Sequence, residues 1–489
     1  MSIPIKLLFL SLGLYFAGSF QQAYLLSILN QPYLEVQQYI NESIIARTGK
    51  SLDSTFMSFI WSSINVINPI SGIVGQLISY ALCDRLGRKK TAILSCVIAI
   101  PGLLLSFFSK MCFPYFETLI VGRFLWGVSN GIAIVVQTVW MIESTPIKYR
   151  GNIGTWQEGI ATIGNLLTQA VGVPLASATL WPLIFIVPFC VNLICMLVFI
   201  VMPESPQWLL MHRDDRSEAA RALKAYHGLQ SPLELEIQVE KCRNDGLSKT
   251  TSDGEKRPSG FTLMFCPWIA SDDVSAVVRF GAWIGVMVKI AYVFTGARVI
   301  RSFNTFIYYT MGGLSLEVAQ WASLGNTIVR LPLAIIPIFL VERCGRRPLI
   351  LITQILSILA LTAAMICIFI GSSAKYGTLV SVSSLLFSTS VGIGCISRFY
   401  SAELVPKHML LGTATILSIL ESMLKIALDF GFYPLANAVG AWSFLIFIIP
   451  SIFLLVFMWR SCPETKGCSV NAVLNDMALR RNRKVSFKV

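Results

Sequence analysis

Long apolar runs separated by short polar segments make up most of the chain. A helix needs about 20 apolar residues to cross a hydrocarbon layer roughly 30 Å thick. Lipid offers no partners to backbone amides, so each spanning segment must be a helix that satisfies its own hydrogen bonds. The pattern predicts twelve spans, near 5–29, 56–82, 91–109, 115–142, 152–175, 181–202, 277–310, 318–341, 348–370, 377–402, 409–436 and 440–459.

Composition agrees with a membrane protein and excludes a water-soluble enzyme. Of 489 residues, 55% are hydrophobic and 13% charged, where a soluble domain carries about 25% charge. No nucleophile–base arrangement is legible, which disfavours any enzyme. The net charge of +13 does not indicate a nucleic-acid partner, because the basic residues lie between apolar runs and form no recognition module. The partner that this pattern predicts is a lipid bilayer.

The distribution of lysine and arginine predicts the orientation. Alternate loops at 83–90, 148–150, 203–272, 343–347, 407 and 461–489 carry 25 of them, and the other loops carry four. Cytoplasmic loops retain basic residues, so both termini are expected to be cytoplasmic. The loop at 30–55 is then outside, and its sequon at Asn41 is a candidate N-glycosylation site. The scattered cysteines and three histidines have no ligand spacing, so no metal or cofactor is expected.

An internal repeat predicts two six-helix halves. Acidic and basic motifs that follow the second, fourth and sixth spans recur after the eighth, tenth and twelfth, at offsets of 258 to 260 residues. The predicted domains are a half at 1–202, a cytoplasmic loop at 203–272 with short amphipathic helices such as 214–227, a half at 273–460 and a cytoplasmic tail at 461–489. Parallel repeats place a solute site at the midplane between the halves, with access that alternates as the halves rock.

The repeated motifs are predicted to form a cytoplasmic gate. Carboxylates at the inner ends of helices can pair with arginines when those ends converge, which would latch the outward-open state. Ordinary topogenic charge is the alternative, but it does not account for repeated acids. The predicted gate comprises Asp84, Arg85, Arg88, Glu143, Arg150 and Glu204, with Glu342, Arg343, Arg346, Glu403 and Glu464 in the second half.

These motifs resemble those of a known transporter family. Gly122-Arg123-Phe124, the stretch from Glu143 to Gly151, Pro203 to Leu209, Val341 to Arg347 and Pro463 to Gly467 are similar to the sugar porter branch of the major facilitator superfamily, and within it to animal facilitative hexose transporters. The resemblance implies an all-α major facilitator fold, a multi-pass protein of the plasma membrane, and a carrier that moves a sugar or polyol down its gradient.

The chain departs from the family where sugar is bound. The family's seventh helix carries Gln-Gln-x-Ser-Gly-x-Asn, and aligned on Tyr308-Tyr309 only Asn304 of it remains. The tenth helix lacks the family prolines and tryptophan, which predicts the loss of its bend. The resemblance places the substrate-binding positions at Gln157, Glu158, Arg298, Arg301, Asn304, Tyr308, Arg330, Arg398, Glu421 and Ser422.

Several of these positions are charged, which leaves three functions open. Each arginine at a helix centre costs roughly 2.5–3.5 kcal/mol on insertion scales, so the arginines are expected to face the central cavity. If they pair with Glu158, Glu421 and Asp429, the lining suits a neutral sugar. If positive charge remains, the solute is an organic anion or acid sugar. A carrier held shut by its ion pairs would be a non-transporting receptor. Leu25 stands where proton-coupled relatives carry an aspartate opposite Arg123, which favours uniport.

Overall fold

The computed structural model describes residues 4–228, 231–247, 260–265, 268, 273–333, 336–405, 407–466, 468 and 470–480. Helices connected by short turns make up these residues, and no strand occurs among them. The chain divides into two compact units, Met1–Gly254 and Glu255–Val489. Counted over the described residues, seven helical segments are long and apolar enough to cross a membrane by length and composition.

The first unit contains the six predicted N-terminal spans. The first span is Ile5–Tyr15 continued by a π-helical turn, Phe16–Phe20, and by Gln21–Ser27. An additional helix, Tyr33–Thr48, follows in the loop predicted to lie outside. The other spans are Ser54–Leu86, Arg88–Phe107, Glu117–Ser144, Ile147–Leu175, and Trp181–Phe185 continued by Ile186–Val201.

Short helices follow the sixth span, in the loop that the sequence predicts to be cytoplasmic and to contain such helices. They are Pro206–Trp208, Leu209–Arg213, Arg216–His227 and Pro232–Leu247. Arg216–His227 confirms the predicted amphipathic helix: Asp215 caps it by accepting from the backbone N–H of Glu218, and Ala219, Leu223 and Tyr226 bury its apolar face.

The second unit begins with Gly260–Phe265 and contains the other six spans, several of which are interrupted. The seventh is Asp273–Phe294, Ala297–Ser302, Asn304–Phe306 and Ile307–Met311, and the eighth is Leu316–Leu333 with Ile336–Cys344. The ninth is Arg346–Ile370, the tenth Lys375–Val391 with Ile393–Glu403, the eleventh Lys407–Val439 and the twelfth Leu445–Ser461. The tail helix Val470–Arg480 buries Val473, Leu474 and Met477 in the core of this unit.

The prediction of one continuous seventh helix is wrong. Gly296 has φ +71°, a left-handed conformation that glycine adopts without strain, and it separates Phe294 from Ala297. A second interruption falls at Phe303, between Ser302 and Asn304. The seventh span therefore consists of three helical pieces and not of the single helix over 277–310 that the apolar pattern predicts.

The predicted loss of the bend in the tenth span is also wrong. The helix stops at Val391 and restarts at Ile393 although the family prolines are absent. A Cβ on Gly392 would lie 2.2 Å from the Thr353 methyl carbon, so only glycine fits against the ninth span here. The Thr353 hydroxyl accepts from the backbone N–H of Ile393 at 3.1 Å, which satisfies a donor that the break leaves open.

Candidate functional site

A neutral polar network joins the seventh, eighth and tenth spans of the second unit. Asn326 Nδ2 donates to the Tyr308 hydroxyl at 2.6 Å, and Ser383 Oγ donates to Asn326 Oδ1 at 2.7 Å. These hydrogen bonds pair the polar atoms of the three side chains with one another. In an apolar region, a buried polar group without a hydrogen bond costs free energy. Tyr308 was predicted to be a site residue. The sequence analysis missed Asn326 and Ser383, although an asparagine one turn before Arg330 could have indicated a polar site on this span.

Asn304 lies near this network and has an unused acceptor. Its Nδ2 donates to Ser323 Oγ at 3.2 Å. Its Oδ1 is buried and has no hydrogen-bond partner among the described residues. A buried carbonyl oxygen left open in this way is suited to accept from a ligand hydroxyl, because the desolvation cost of the oxygen is then recovered.

An ionic network joins the seventh and eleventh spans. Glu421 accepts from Lys289 Nζ at 3.0 Å and also pairs with Lys425, one turn along its own helix. These side chains are 13–17% exposed. Lys289 was missed by the sequence analysis, although a lysine in the middle of an apolar run is itself a signal of function. Glu421 thus pairs with lysines, not with the arginines that the sequence suggested.

Arg298 and Arg301 differ in their partners. Arg298 Nε lies 3.5 Å from Asp429 Oδ2, and the Asp429 side chain is 4% exposed, so this predicted pair forms. Arg301 instead donates from Nε to the Ala297 carbonyl and from Nη2 to the Tyr292 hydroxyl, both at 2.9 Å. Both partners of Arg301 are neutral.

The remaining predicted substrate positions are spread over several spans. Arg330 is buried, and its Nε donates to Ser390 Oγ on the tenth span at 2.8 Å. Gln157 and Ser422 are half-buried. The side chains of Glu158 and Arg398 lie outside those that the structure describes. The site roles of all these residues stay predictions.

Polar contacts also join the first, fourth and fifth spans of the first unit. Ser27 Oγ donates to Asn165 Oδ1 at 3.0 Å, and Trp126 Nε1 donates to Gln21 Oε1 at 3.1 Å. Arg123 is 1% exposed, and its Nε and Nη1 have no hydrogen-bond partner among the described residues. The geometry agrees with the expectation that Leu25 leaves this arginine without a carboxylate.

At the predicted inner ends of the first unit, a buried ion pair joins the third and fourth spans. Arg88 binds Glu143 through two contacts of 2.7 and 2.9 Å, and Ser205 Oγ donates to the same carboxylate at 2.5 Å. Both charged side chains are less than 10% exposed. Of the predicted gate pairs, this one forms.

The hydrogen bonds described for Glu204 are to backbone amides and not to the side chain of an arginine. It accepts from the backbone N–H groups of Arg88, Lys89 and Ser205 at 2.8–3.1 Å and so caps the start of the third span. Burial raises the pKa of Glu204, although the amide hydrogen bonds and the Arg88 charge oppose this. The turn requires Gly87, at φ +92°, because a Cβ there would lie 2.4 Å from Glu204 Oε2.

The second unit repeats this arrangement in a looser form. Arg346 Nη2 lies 3.3 Å from Glu403 Oε1, Thr465 Oγ1 donates to Glu403, and the two charged side chains are 14% and 29% exposed. Glu464 accepts from four backbone N–H groups, those of Arg346, Arg347, Thr465 and Lys466, at 2.9–3.0 Å. Burial would raise the pKa of Glu464, but these amide hydrogen bonds outweigh it and hold the pKa below its usual value.

Among the other predicted gate residues, two have described side chains. Arg85 and Arg343 are exposed. The side chains of Asp84, Arg150 and Glu342 lie outside those that the structure describes. Asn41 is half-buried in the helix Tyr33–Thr48, and its Oδ1 accepts from the backbone N–H of Leu52 at 3.0 Å.

Comparisons with protein families and with curated proteins both find sugar transporters. The model of the family described as "Sugar (and other) transporter" matches residues 11–476. Among curated proteins, the chain is 26% identical over 457 residues to the facilitated glucose transporter member 7 of solute carrier family 2 from Mus musculus, covering 92% of this chain and 86% of that one. It is 25% identical over 465 residues to member 1 from Gallus gallus, covering 94% and 91%.

Solved structures share the fold. The xylose transporter XylE from E. coli, in a partially occluded inward open conformation, superposes with a TM-score of 0.75 at 16% identity, covering 95% of this chain and 99% of that one. A structure described as a major facilitator superfamily proton:xylose symporter superposes with a TM-score of 0.71 at 18% identity. The predicted fold class, an all-α major facilitator fold, is confirmed.

Proposed function

The chain belongs to the sugar transporter family and is a multi-pass membrane protein, and from that premise we propose that it carries a hexose or a related sugar or polyol by facilitated transport. The observation that supports a polyhydroxylated solute is the polar surface of the interrupted seventh span. Asn304 Oδ1 is buried there with an open acceptor site, next to spans joined through Tyr308, Asn326 and Ser383.

We propose that the predicted domains and orientation apply to this carrier. The halves 1–202 and 273–460 move relative to each other, the loop 203–272 and the tail 461–489 are cytoplasmic, and the solute site lies at the midplane. The Arg88–Glu143 and Arg346–Glu403 pairs support a gate at the inner ends. The protein functions in the plasma membrane with Asn41 glycosylated, and a glycosidase-sensitive change in gel mobility that Asn41→Gln abolishes would test this orientation.

Transport is proposed to be uniport. The buried Arg123 guanidinium has Nε and Nη1 without partners among the described residues, and Leu25 supplies no carboxylate to exchange a proton beside it. A carrier of this kind moves a neutral solute only down its gradient.

Uptake by the purified full-length chain in proteoliposomes tests the proposal. Saturable entry of labelled glucose, fructose or a polyol that stops at equal concentrations inside and outside, and that is insensitive to an imposed pH gradient, is the expected result. Asn304→Ala should raise KM about tenfold, the effect of one lost hydrogen bond of about 1.4 kcal/mol. Thr305→Ala, one position along the same helix, is the control for a general disturbance of the seventh span. Accumulation driven by a pH gradient would contradict uniport, and absence of flux for every solute, acid sugars included, would contradict the carrier function.

A further inference from the structure

The charged groups between the seventh and eleventh spans do not balance. Within the described residues, the stretch 289–301 of the seventh span and the stretch 421–429 of the eleventh carry four cations and two carboxylates. The cations are Lys289, Arg298, Arg301 and Lys425, and the carboxylates are Glu421 and Asp429. Three of these cations lie on the seventh span, which also carries the open acceptor of Asn304.

The two carboxylates are already engaged by other cations. Glu421 is shared by Lys289 and Lys425, and Asp429 lies beside Arg298. Neither carboxylate lies within salt-bridge distance of Arg301, whose Nε and Nη2 donate to a backbone carbonyl and to the Tyr292 hydroxyl. Neutral acceptors of this kind hold a guanidinium in place but leave its charge uncompensated.

Two nitrogens of the Arg301 guanidinium have N–H groups that can donate to an anion. Its Nη1 has no hydrogen-bond partner among the described residues, and Nη2 uses one of its two N–H groups on Tyr292. One N–H from each of these nitrogens forms the planar fork that binds a carboxylate or phosphate in a bidentate manner. Asn304, three residues later, supplies an acceptor for a hydroxyl.

From this arrangement we propose that the solute is an anionic sugar, one that carries a single carboxylate or phosphate in addition to its hydroxyls, and that Arg301 binds its acidic group. This inference rests on the proposed carrier function and names the substrate class of that site. A neutral sugar would meet the acceptor of Asn304 but would leave the charge of Arg301 without a partner. An anion that lacks hydroxyls would leave Asn304 Oδ1 unpaired.

The first test compares labelled glucose, glucuronate and glucose 6-phosphate in proteoliposomes under a potassium diffusion potential. Uniport of an anion carries current, so an inside-positive potential of about 100 mV should concentrate a monovalent acid about 50-fold. Glucose should be unaffected by the potential. Uptake of glucuronate with this voltage dependence, or of glucose 6-phosphate with a steeper one because its phosphate carries close to two charges near pH 7, supports the inference and identifies the acidic group.

Two other outcomes separate the inference from the function on which it rests. Saturable glucose uptake that neither acid inhibits, with no uptake of either acid, overturns the anionic substrate and leaves the sugar carrier intact. Absence of flux for all three solutes overturns the carrier function itself.

Variants then assign the role to Arg301. Arg301→Gln should raise KM for the transported acid at least tenfold and leave competition by glucose unchanged, and Arg301→Lys should recover part of the loss by restoring the charge. Arg279→Gln is the matched control, because Arg279 lies on the same span and its Nε also donates to a backbone carbonyl, that of Leu263. It should leave the preference for the acid unchanged.

A milder variant keeps the assignment testable if the loss of Arg301 prevents folding. Tyr292→Phe removes only the hydroxyl that holds Nη2, so it should raise KM for the acid and not the inhibition constant of glucose. An equal loss of acid and glucose binding in both Arg301→Gln and Tyr292→Phe would show a structural role and overturn the assignment.

Discussion

Replacing Glu143 and its repeat counterpart Glu403 by glutamine tests whether burial decides the strength of the two ion pairs. Glu143 receives two N–H groups of Arg88 at 2.7 and 2.9 Å, and both side chains are less than 10% exposed. Breaking a buried pair by removing one partner costs about 3–5 kcal/mol, because the other charge is left uncompensated. Glutamine retains one acceptor oxygen, but its amide N–H groups face a guanidinium that is also a donor.

The second pair also joins an arginine to a glutamate, but its side chains are more exposed to solvent. Arg346 and Glu403 are 3.3 Å apart with side chains 14% and 29% exposed, so water compensates part of the loss. We expect Glu403→Gln to cost about 1–2 kcal/mol, above the median for exposed pairs and well below the cost for a buried pair. Glu117→Gln removes the still more exposed pair with Arg47 and should cost less than about 1 kcal/mol.

Thermal unfolding of the three detergent-purified variants, followed by tryptophan fluorescence, measures this order. Because unfolding of large proteins is often irreversible, all variants are heated at one scan rate and compared by apparent Tm. Glu143→Gln should show the largest drop. The double variant with Arg88→Met should lose less than the sum of its single variants, since contacting residues are not additive. Equal drops for Glu143→Gln and Glu403→Gln would refute the argument from burial.

Three further substitutions follow from the same geometry. Gly87→Ala should lower stability by at least about 2 kcal/mol more than Gly49→Ala, because both positions have positive φ but only the Cβ at 87 meets a carboxylate that must release backbone amides. Similar apparent Tm values for these two variants would contradict this. Glu421→Gln should reduce the yield of folded protein more than Lys289→Met, since the first leaves two lysines without an anion and the second leaves a complete pair; the reverse order would show that the pairs are not formed. Gly392→Ala should cost about 1–3 kcal/mol of overpacking against the ninth span, and wild-type stability in a denaturant series would rule out the close approach there.

The sequence predicts the features that depend only on residues close together along the chain. The apolar runs predict the twelve spans because the thickness of a bilayer sets a length that each run must meet on its own. The repeated acidic and basic motifs predict which residues lie at equivalent helix ends, and the Arg88–Glu143 and Arg346–Glu403 pairs follow from that repeat. The glycine, proline and serine residues beside these motifs gave no indication that Glu204 caps a helix through backbone amides.

The tertiary structure decided which groups pair and where helices stop. Glu421 pairs with Lys289, more than 130 residues away along the chain, and this choice depends on how the seventh and eleventh spans lie beside each other. The break at Gly392 depends on the neighbouring Thr353, and no proline marks it in the sequence. Hydropathy and spacing describe one helix at a time, whereas ion pairs and close helix contacts depend on the positions of two helices in space. The sequence therefore determined the twelve spans, and only the tertiary structure decided which charges are paired and which are not.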